Sequence, residues 1–335
     1  MAREIETKCI HLEEAEGALN HFGAMAYPIY QSATYAHPGV GQSTGYDYSR
    51  LQNPTREHLE KTVASLENGI DALAFSSGMA AITLMMELFK PGDHLIVDAD
   101  LYGGSIRLFN HVSEKNGIEF SSVDCHKENV AAYIRENTKA VYIETPTNPM
   151  MNVTDIKALA EITKKHNILL IVDNTFLSPY FQNPLKLGAD IVTHSSTKYL
   201  GGHNDTLSGI VVVKDNEEIA EKIHVHIKSH GSQLAPMDCW LLLRGIKTLP
   251  VRMGRHNENA KKVAEWLRTQ PKVKKVYYVG FEDHKDYATT IKQTRGFGGM
   301  ISFTVDSFET VQKILRNVDM IMFAESLGGT ETLIT

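Results

Sequence analysis

From about residue 58 to residue 215 the chain alternates short apolar runs with stretches of helical period. Leu73-Ala74-Phe75 is one run, and Ser76-Ser77-Gly78 then leads into a helical stretch, Met79 to Phe89, that Pro91-Gly92 stops. His94 to Asp98 and Ala140 to Glu144 read as strands. Thr154-Asp155 can cap a helix whose apolar face is Ile156, Leu159 and Ile162. Lys164, Lys165 and His166 fall in its last turn, where the helix dipole favours cations, and Asn167 closes it. Ile168 to Val172 follows as an unbroken apolar run ending at Asp173, and Asp190 to His194 and Gly209 to Val213 add further strands. Runs without polar alternation suit strands buried on both faces. They predict an α/β fold with a mostly parallel sheet covered by helices, its ligand at the carboxyl ends of the strands.

The flanks differ. Residues 1–57 have little periodicity and many turn formers, among them His37-Pro38-Gly39, Gly41, Gly45 and Asn53-Pro54, and read as an arm. Beyond about residue 246 a helix from His256 to Arg268 is stopped by Pro271, and strands are expected at Val273 to Val279, Met300 to Val305 and Met320 to Ala324. A helix at Phe308 to Leu315 lies among them, so this part reads as a small α+β domain. The expected organisation is an arm over 1–57, a large α/β domain over 58–245 and a small α+β domain over 246–335. No internal repeat or low-complexity tract is evident.

Composition narrows the function classes. The 335 residues suffice for about two domains. With 34 Lys and Arg against 40 Asp and Glu, the net charge of −6 lacks the basic excess of a nucleic-acid binder. Cys9, Cys125 and Cys239 form no CxxC pair, which favours a reducing compartment over disulfide stapling. No apolar run reaches the roughly 18 residues of a membrane span, and Met1 to Lys8 alternates charges rather than opening a signal peptide. A cytoplasmic protein with neither membrane nor nucleic-acid partners is expected. The 15 histidines are scattered, no HExxH is present, and His203 with Asp205 is the nearest hint of a ligand pair, so no metal is expected.

Four segments carry candidate chemistry. In Ser195-Ser196-Thr197-Lys198-Tyr199, a lysine directly after a buried strand suits a Schiff-base nucleophile toward a carbonyl cofactor, with hydroxyls beside it for an anion. Asp173, at the end of its apolar run, can pair with a protonated pyridine nitrogen. Ser76-Ser77-Gly78-Met79 exposes the first N–H groups of a helix, an anion site without the lysine of a P-loop. Tyr102, before Gly103-Gly104, can lie flat on a heteroaromatic ring. Each has a plain structural reading by itself, as turn lysine, helix cap or core tyrosine. Together they supply a phosphate cradle, a ring stacker, a pyridinium partner and an amine, which is the set that pyridoxal 5'-phosphate (PLP) requires.

With these segments in place the chain resembles the PLP-dependent trans-sulfuration enzymes of Cys/Met metabolism, closest to cystathionine γ-synthase and cystathionine γ-lyase. The motifs are Tyr48-Ser49-Arg50 with Asn53-Pro54-Thr55-Arg56, Ser76 to Ala80, Glu144-Thr145-Pro146-Thr147-Asn148-Pro149, Val172-Asp173-Asn174-Thr175-Phe176 and Ser196-Thr197-Lys198-Tyr199. The resemblance runs from about Pro28 to the last residue. It implies the PLP-dependent transferase fold type I, like aspartate aminotransferase, and a homotetramer built as a dimer of dimers. It also implies roles. Lys198 holds the cofactor and shuttles protons, Asp173 holds the pyridinium nitrogen and Tyr102 stacks on the ring. The N–H groups of Gly78 and Met79 and the hydroxyls of Ser195 and Thr197 bind the phosphate, which Tyr48 and Arg50 reach from the neighbouring subunit, and Asn148 lies near the ring oxygen.

The same resemblance ranks the members. In Ala324-Glu325-Ser326-Leu327-Gly328-Gly329, a Glu at position 325 is typical of enzymes handling cystathionine, and Glu325 and Ser326 are the expected substrate contacts. Methionine γ-lyases carry an apolar residue there and a Cys where this chain has Gly104. The expectation is γ-replacement on an O-acyl-homoserine by cysteine, with cystathionine γ-lyase, O-acetylhomoserine sulfhydrylase, methionine γ-lyase and an inactive fold relative as alternatives. The family continues for some tens of residues beyond the Leu-Gly-Gly segment and supplies there an Arg for the substrate carboxylate. An incomplete small domain is therefore expected in a chain ending at Thr335.

Overall fold

The computed structural model describes residues 3–11 and 22–335, and a seven-stranded sheet runs through it. The strands are β1 (Asp71–Phe75), β2 (His94–Asp98), β3 (Glu119–Val123), β4 (Thr138–Glu144), β5 (Leu169–Asp173), β6 (Ile191–His194) and β7 (Gly209–Val213), in the order β1-β7-β6-β5-β4-β2-β3. The five strands from β6 to β3 run parallel, whereas β7 is antiparallel to both β6 and β1. The sheet is thus mostly parallel, with a mixed edge that the apolar pattern of Gly209–Val213 could not distinguish.

Around it lie α1 (Ile5–Lys8), α2 (Pro54–Glu67), α3 (Gly78–Met85), α4 (Gly103–Asn116), α5 (Ile156–Lys165), α6 (Ser178–Phe181), α7 (Pro184–Leu187) and α8 (Glu217–His230). Alternate residues of each strand feed two cores. Ala72, Ala74, Val141, Ile143, Leu170 and Val172 pack with α2 and α5 on one face. Leu73, Phe75, Leu95, Val97, Tyr142 and Ile171 pack with α3, α4 and α8 on the other. This two-sided burial is the physical reason that the strands read as continuous apolar runs.

Beyond the sheet come α9 (Pro236–Ile246), α10 (Leu249–Arg268), β8 (Val273–Tyr277), α11 (Tyr287–Gln293), β9 (Ser302–Val305), α12 (Phe308–Asn317), β10 (Met322–Phe323) and β11 (Leu333–Ile334). Strands β8 and β9 pair antiparallel, and a separate small core of Ala260, Ala264, Leu267, Tyr278 and Phe281 covers them. Helix α10 begins earlier than His256, because Pro250 sits in its first turn, where the missing N–H costs nothing. Of the stretch expected as an arm, residues 1, 2 and 12–21 lie outside the described residues. Residues 22–53 hold no regular helix or strand, only isolated bridges such as Thr34 to Tyr48. Helix α2 starts inside that stretch, at Pro54, capped by Asn53, whose side chain accepts from the Thr55 and Arg56 N–H groups. Cys9 is buried against the core and Lys8 donates to the Ser65 carbonyl, so α1 packs on α2. All three cysteines are buried and free. Among the described residues no helix is long and apolar enough to cross a membrane.

Candidate active site

The parallel strands deliver their last residues to one edge, and the candidate residues gather there. Glu144 and Asp173 end β4 and β5 in register, side by side. Asp173 Oδ1 accepts from the Thr175 N–H (3.0 Å) and hydroxyl (2.6 Å), and Oδ2 accepts from the Tyr142 hydroxyl (3.3 Å). Thr175 Oγ1 also accepts from the Ser195 N–H at 2.9 Å, so it ties the carboxylate to the segment leaving β6. Among the described residues no cation pairs with Asp173. Burial pushes its carboxyl above the ordinary range, against the Thr175 hydrogen bonds. Glu144 is also pushed up, first by burial and then by Asp173, and its Oε2 accepts from the Tyr102 N–H at 2.9 Å. Two carboxyls crowded at one strand edge, neither paired with a cation among the described residues, make a site that attracts a protonated nitrogen.

The Lys198 turn is clamped from two sides. Behind it, buried Arg252 of α10 donates to the carbonyls of Tyr199 (2.7 Å) and Gly245 (2.8 Å). A Cβ on Gly202 would come within 2.0 Å of the Arg252 guanidinium, so glycine is required there. In front lies Gly328, at φ +81°, where a Cβ would stand 2.6 Å from the Tyr199 nitrogen. This close approach brings Ser326 onto the lysine, and Lys198 Nζ donates to Ser326 Oγ at 2.9 Å. Ser326 itself holds a φ of +124°, a conformation that costs energy outside glycine and often marks a functional segment. Burial lowers the Lys198 amine below the ordinary lysine range. Glu325, beside Ser326, is exposed.

The turn expected to cradle a phosphate depends on missing side chains. Ser77 caps α3, its hydroxyl accepting from the Ala80 N–H at 3.0 Å. A Cβ on Gly78 would meet Ser195 Oγ at 3.0 Å, and one on Gly209 would meet the Ser77 carbonyl oxygen at 2.2 Å. The start of α3 and Ser195 are therefore brought together. The Thr197 hydroxyl lies beside them but is engaged with Ser208, donating to its carbonyl (3.1 Å) and accepting from its N–H (2.9 Å).

Tyr102 is half exposed and its ring folds back over the start of α4: a Cβ on Gly104 would come 2.4 Å from Tyr102 Cε1. Asn148 lies in the loop after β4, which Asp100 secures by accepting from the Thr147 hydroxyl, the Met150 N–H (3.3 Å) and Asn152 Nδ2 (3.4 Å). Tyr48 and Arg50 stand apart. Within this chain Arg50 lies over the Tyr48 ring, 5.6 Å from its centroid, and donates to the Lys228 carbonyl at the end of α8. Sequence pattern offered no reason to single out Tyr142, Thr175, Ser208 or Arg252. Thr175 was visible only as part of the Asp-Asn-Thr-Phe motif, and Glu144 only as a strand end and the first residue of the Glu-Thr-Pro-Thr-Asn-Pro motif, with no role given to it. A cavity of about 800 Å³ lies to one side, lined by Asp100, Met150, Asn152, Lys275, Tyr277 and Lys285, and none of the site residues expected from the sequence lines it.

The family model described as Cys/Met metabolism PLP-dependent enzyme matches residues 6–335. The chain belongs to that family. It is 51% identical over 314 residues to a cystathionine γ-lyase of Bacillus subtilis, which covers 93% of this chain and 83% of the relative. It is 48% identical over 340 residues to a cystathionine γ-synthase/O-acetylhomoserine (thiol)-lyase of the same organism, covering 100% of this chain and 85% of the relative. Relatives named cystathionine β-lyase match at comparable identity. The crystal structure of a cystathionine γ-lyase from Lactobacillus plantarum complexed with L-serine superposes with a TM-score of 0.95 at 44% identity, covering 99% of this chain and 86% of that one.

The family member is thus a PLP-dependent trans-sulfuration enzyme of sulfur amino-acid metabolism with the type I fold. Its own residues fit the cofactor. The cradle at Gly78 is open where a Cβ would fill it, and Asp173 is a carboxylate at the strand edge whose hydrogen bonds come only from neutral donors.

Proposed function

We propose that this enzyme catalyses γ-replacement, in which the sulfur of cysteine displaces the acyl group of an O-acyl-homoserine to form cystathionine. The observation that carries the reading is the 2.9 Å hydrogen bond between Lys198 Nζ and Ser326 Oγ, which ties the lysine to the segment bearing Glu325. An exposed carboxylate next to that contact suits the distal ammonium of a long diamino acid.

In this reading the Gly78 and Met79 N–H groups hold the phosphate with the Ser195 and Thr197 hydroxyls, and Tyr48 and Arg50 of a neighbouring subunit complete the cradle. Asp173 pairs with the pyridinium nitrogen, Tyr102 covers one ring face, Asn148 lies by the ring oxygen and Lys198 provides the attaching amine. Bound PLP supplies an electron sink for carbanion chemistry. Lys198, its amine held below the ordinary lysine range by burial, would take a proton from the substrate Cα, pass it on within the cofactor–substrate unit and, as the free base again, take one from Cβ. The acyl group leaves Cγ as a carboxylate that takes up the thiol proton, sulfur bonds to Cγ, and Lys198 returns the protons to Cβ and Cα. We assign residues 1–57 to an arm that reaches the neighbouring subunit, 58–245 to the large domain and 246–335 to the small one, assembled as a homotetramer.

The test is product analysis. The holoenzyme given O-acetyl- or O-succinyl-homoserine with cysteine should yield cystathionine. The second reading, favoured by the 51% identical relative, is cystathionine γ-lyase: cystathionine would give cysteine, ammonia and 2-oxobutyrate. Homocysteine and pyruvate from cystathionine, with no γ-replacement, would overturn both.

A further inference from the structure

We infer that Glu87, His226 and His230 form a surface site for one divalent transition-metal ion, for which Zn2+ is the suitable probe. His226 and His230 lie four residues apart on α8, on one face of the helix. Their rings stand 6.1 Å apart and nearly perpendicular. Glu87 reaches them from the single 3-10 turn Met86–Leu88 that continues α3. One ligand atom from each of the three lies within 4.8 Å of the others. Around a tetrahedral ion with bonds of about 2.0–2.1 Å, ligand atoms stand roughly 3.3 Å apart. Side-chain rotations of about 1 Å would close the gap.

The chemistry of the set selects the ion. Two imidazoles and one carboxylate suit Zn2+, Ni2+ or Cu2+, whereas Mg2+ and Ca2+ prefer oxygen throughout. Three protein ligands leave the fourth position to water. The site sits at the last turn of α8, where the helix dipole favours positive charge. Among the described residues none of the three side chains has a hydrogen-bond or ion-pair partner elsewhere, so an ion displaces no existing contact.

The placement gives the ion a structural consequence. Just before α3, the Ser76 N–H donates to the Ser232 carbonyl, just past the end of α8, at 2.8 Å. An ion on Glu87 and the two histidines would tie the far end of α3 to the same helix. Both ends of the helix that begins at the Gly78 cradle would then be anchored to α8.

The experiment uses holoenzyme freed of metal by a chelator, dialysed against Zn2+ and, separately, Mg2+. Bound metal and thermal unfolding are then measured. The expected result is one Zn2+ per chain and a raised Tm, both reversed by chelator and neither reproduced by Mg2+. His226→Ala and His230→Ala should each weaken Zn2+ binding at least about ten-fold and leave the metal-free Tm unchanged. Glu87→Gln, which keeps the shape of the side chain, serves as a second variant should either histidine change fail to fold. Absence of bound Zn2+, or Zn2+ binding undiminished in these variants, would overturn the inference.

Discussion

At the residue scale, burial sets the proton affinities that matter. The Lys198 amine loses hydration on the strand edge and gains only the Ser326 hydroxyl as an acceptor, so burial holds it below the ordinary lysine range. In the proposed reading, Lys198→Ala removes the amine that holds the cofactor aldehyde. Borohydride treatment followed by peptide mapping should find PLP fixed to residue 198 in the parent and none in the variant. Turnover by the variant should drop to background, and full turnover with a retained visible band would refute the assignment. Asp98, at the end of β2, is 3% exposed, and burial pushes its carboxyl up to about 7. The folded chain therefore holds this proton to a higher pH than the unfolded chain, which releases it near the ordinary value of about 4. Unfolding releases the proton, and stability falls as pH rises from about 4 to about 7. Asp98→Asn lacks that penalty. Denaturant unfolding should show the variant matching the parent near pH 4 and exceeding it at pH 8, by on the order of a few kcal/mol.

At the element scale, helices with their own signals and helices without them behaved differently. Helix α5 carries its cap, its apolar face and its basic last turn in local sequence, and it forms over Ile156–Lys165 with the Asp155 side chain accepting from the Ala158 N–H. Helix α9 has a proline at its start and no side-chain cap, and it forms because Cys239, Leu242 and Ile246 are buried in the core that α2 shares. The segment from Glu325 to Gly329 has little regular structure, and its position depends on glycine. Gly328→Ala would place a methyl 2.6 Å from the Tyr199 nitrogen at a positive φ. The segment would have to lift from the lysine turn, breaking the Lys198–Ser326 contact. Activity should fall by at least about ten-fold, equivalent to 1.4 kcal/mol of transition-state stabilisation, while Tm changes little, because the segment adds only the partly buried Leu327 to the core on one face of the sheet. A large loss of Tm would show instead that this segment is part of the global fold.

At the scale of the whole molecule, Tyr48 and Arg50 matter most. Within the chain they contact each other and the end of α8, while Lys198, Asp173 and Ser195 gather at the strand edge. If the arm completes a neighbour's site, two inactive variants can repair each other. Lys198→Ala and Arg50→Ala chains, unfolded together and reassembled, form hybrids in which one site has both the lysine and the arginine. About a quarter of parental activity should return for a random dimer mixture. No recovery would place Arg50 in its own chain's site.

What could be read from the sequence alone was whatever short-range pattern encodes. The runs at 94–98 and 168–173, the capped helix at 156–165 and the Ser-Ser-Gly turn follow from local hydrophobicity, caps and glycine, and motif spacing was enough to name the family and its cofactor. Tertiary structure alone decided that β7 runs antiparallel, because an apolar strand has the same pattern in either direction. It also decided that Thr175 links Asp173 to Ser195, that Arg252 and Gly328 clamp the lysine turn, and that Glu87 meets two histidines more than a hundred residues away in sequence. Apart from the local Thr175–Asp173 bond, those contacts join segments separated along the chain. They depend on which faces the sheet and helices bury, and no local window of sequence carries that information.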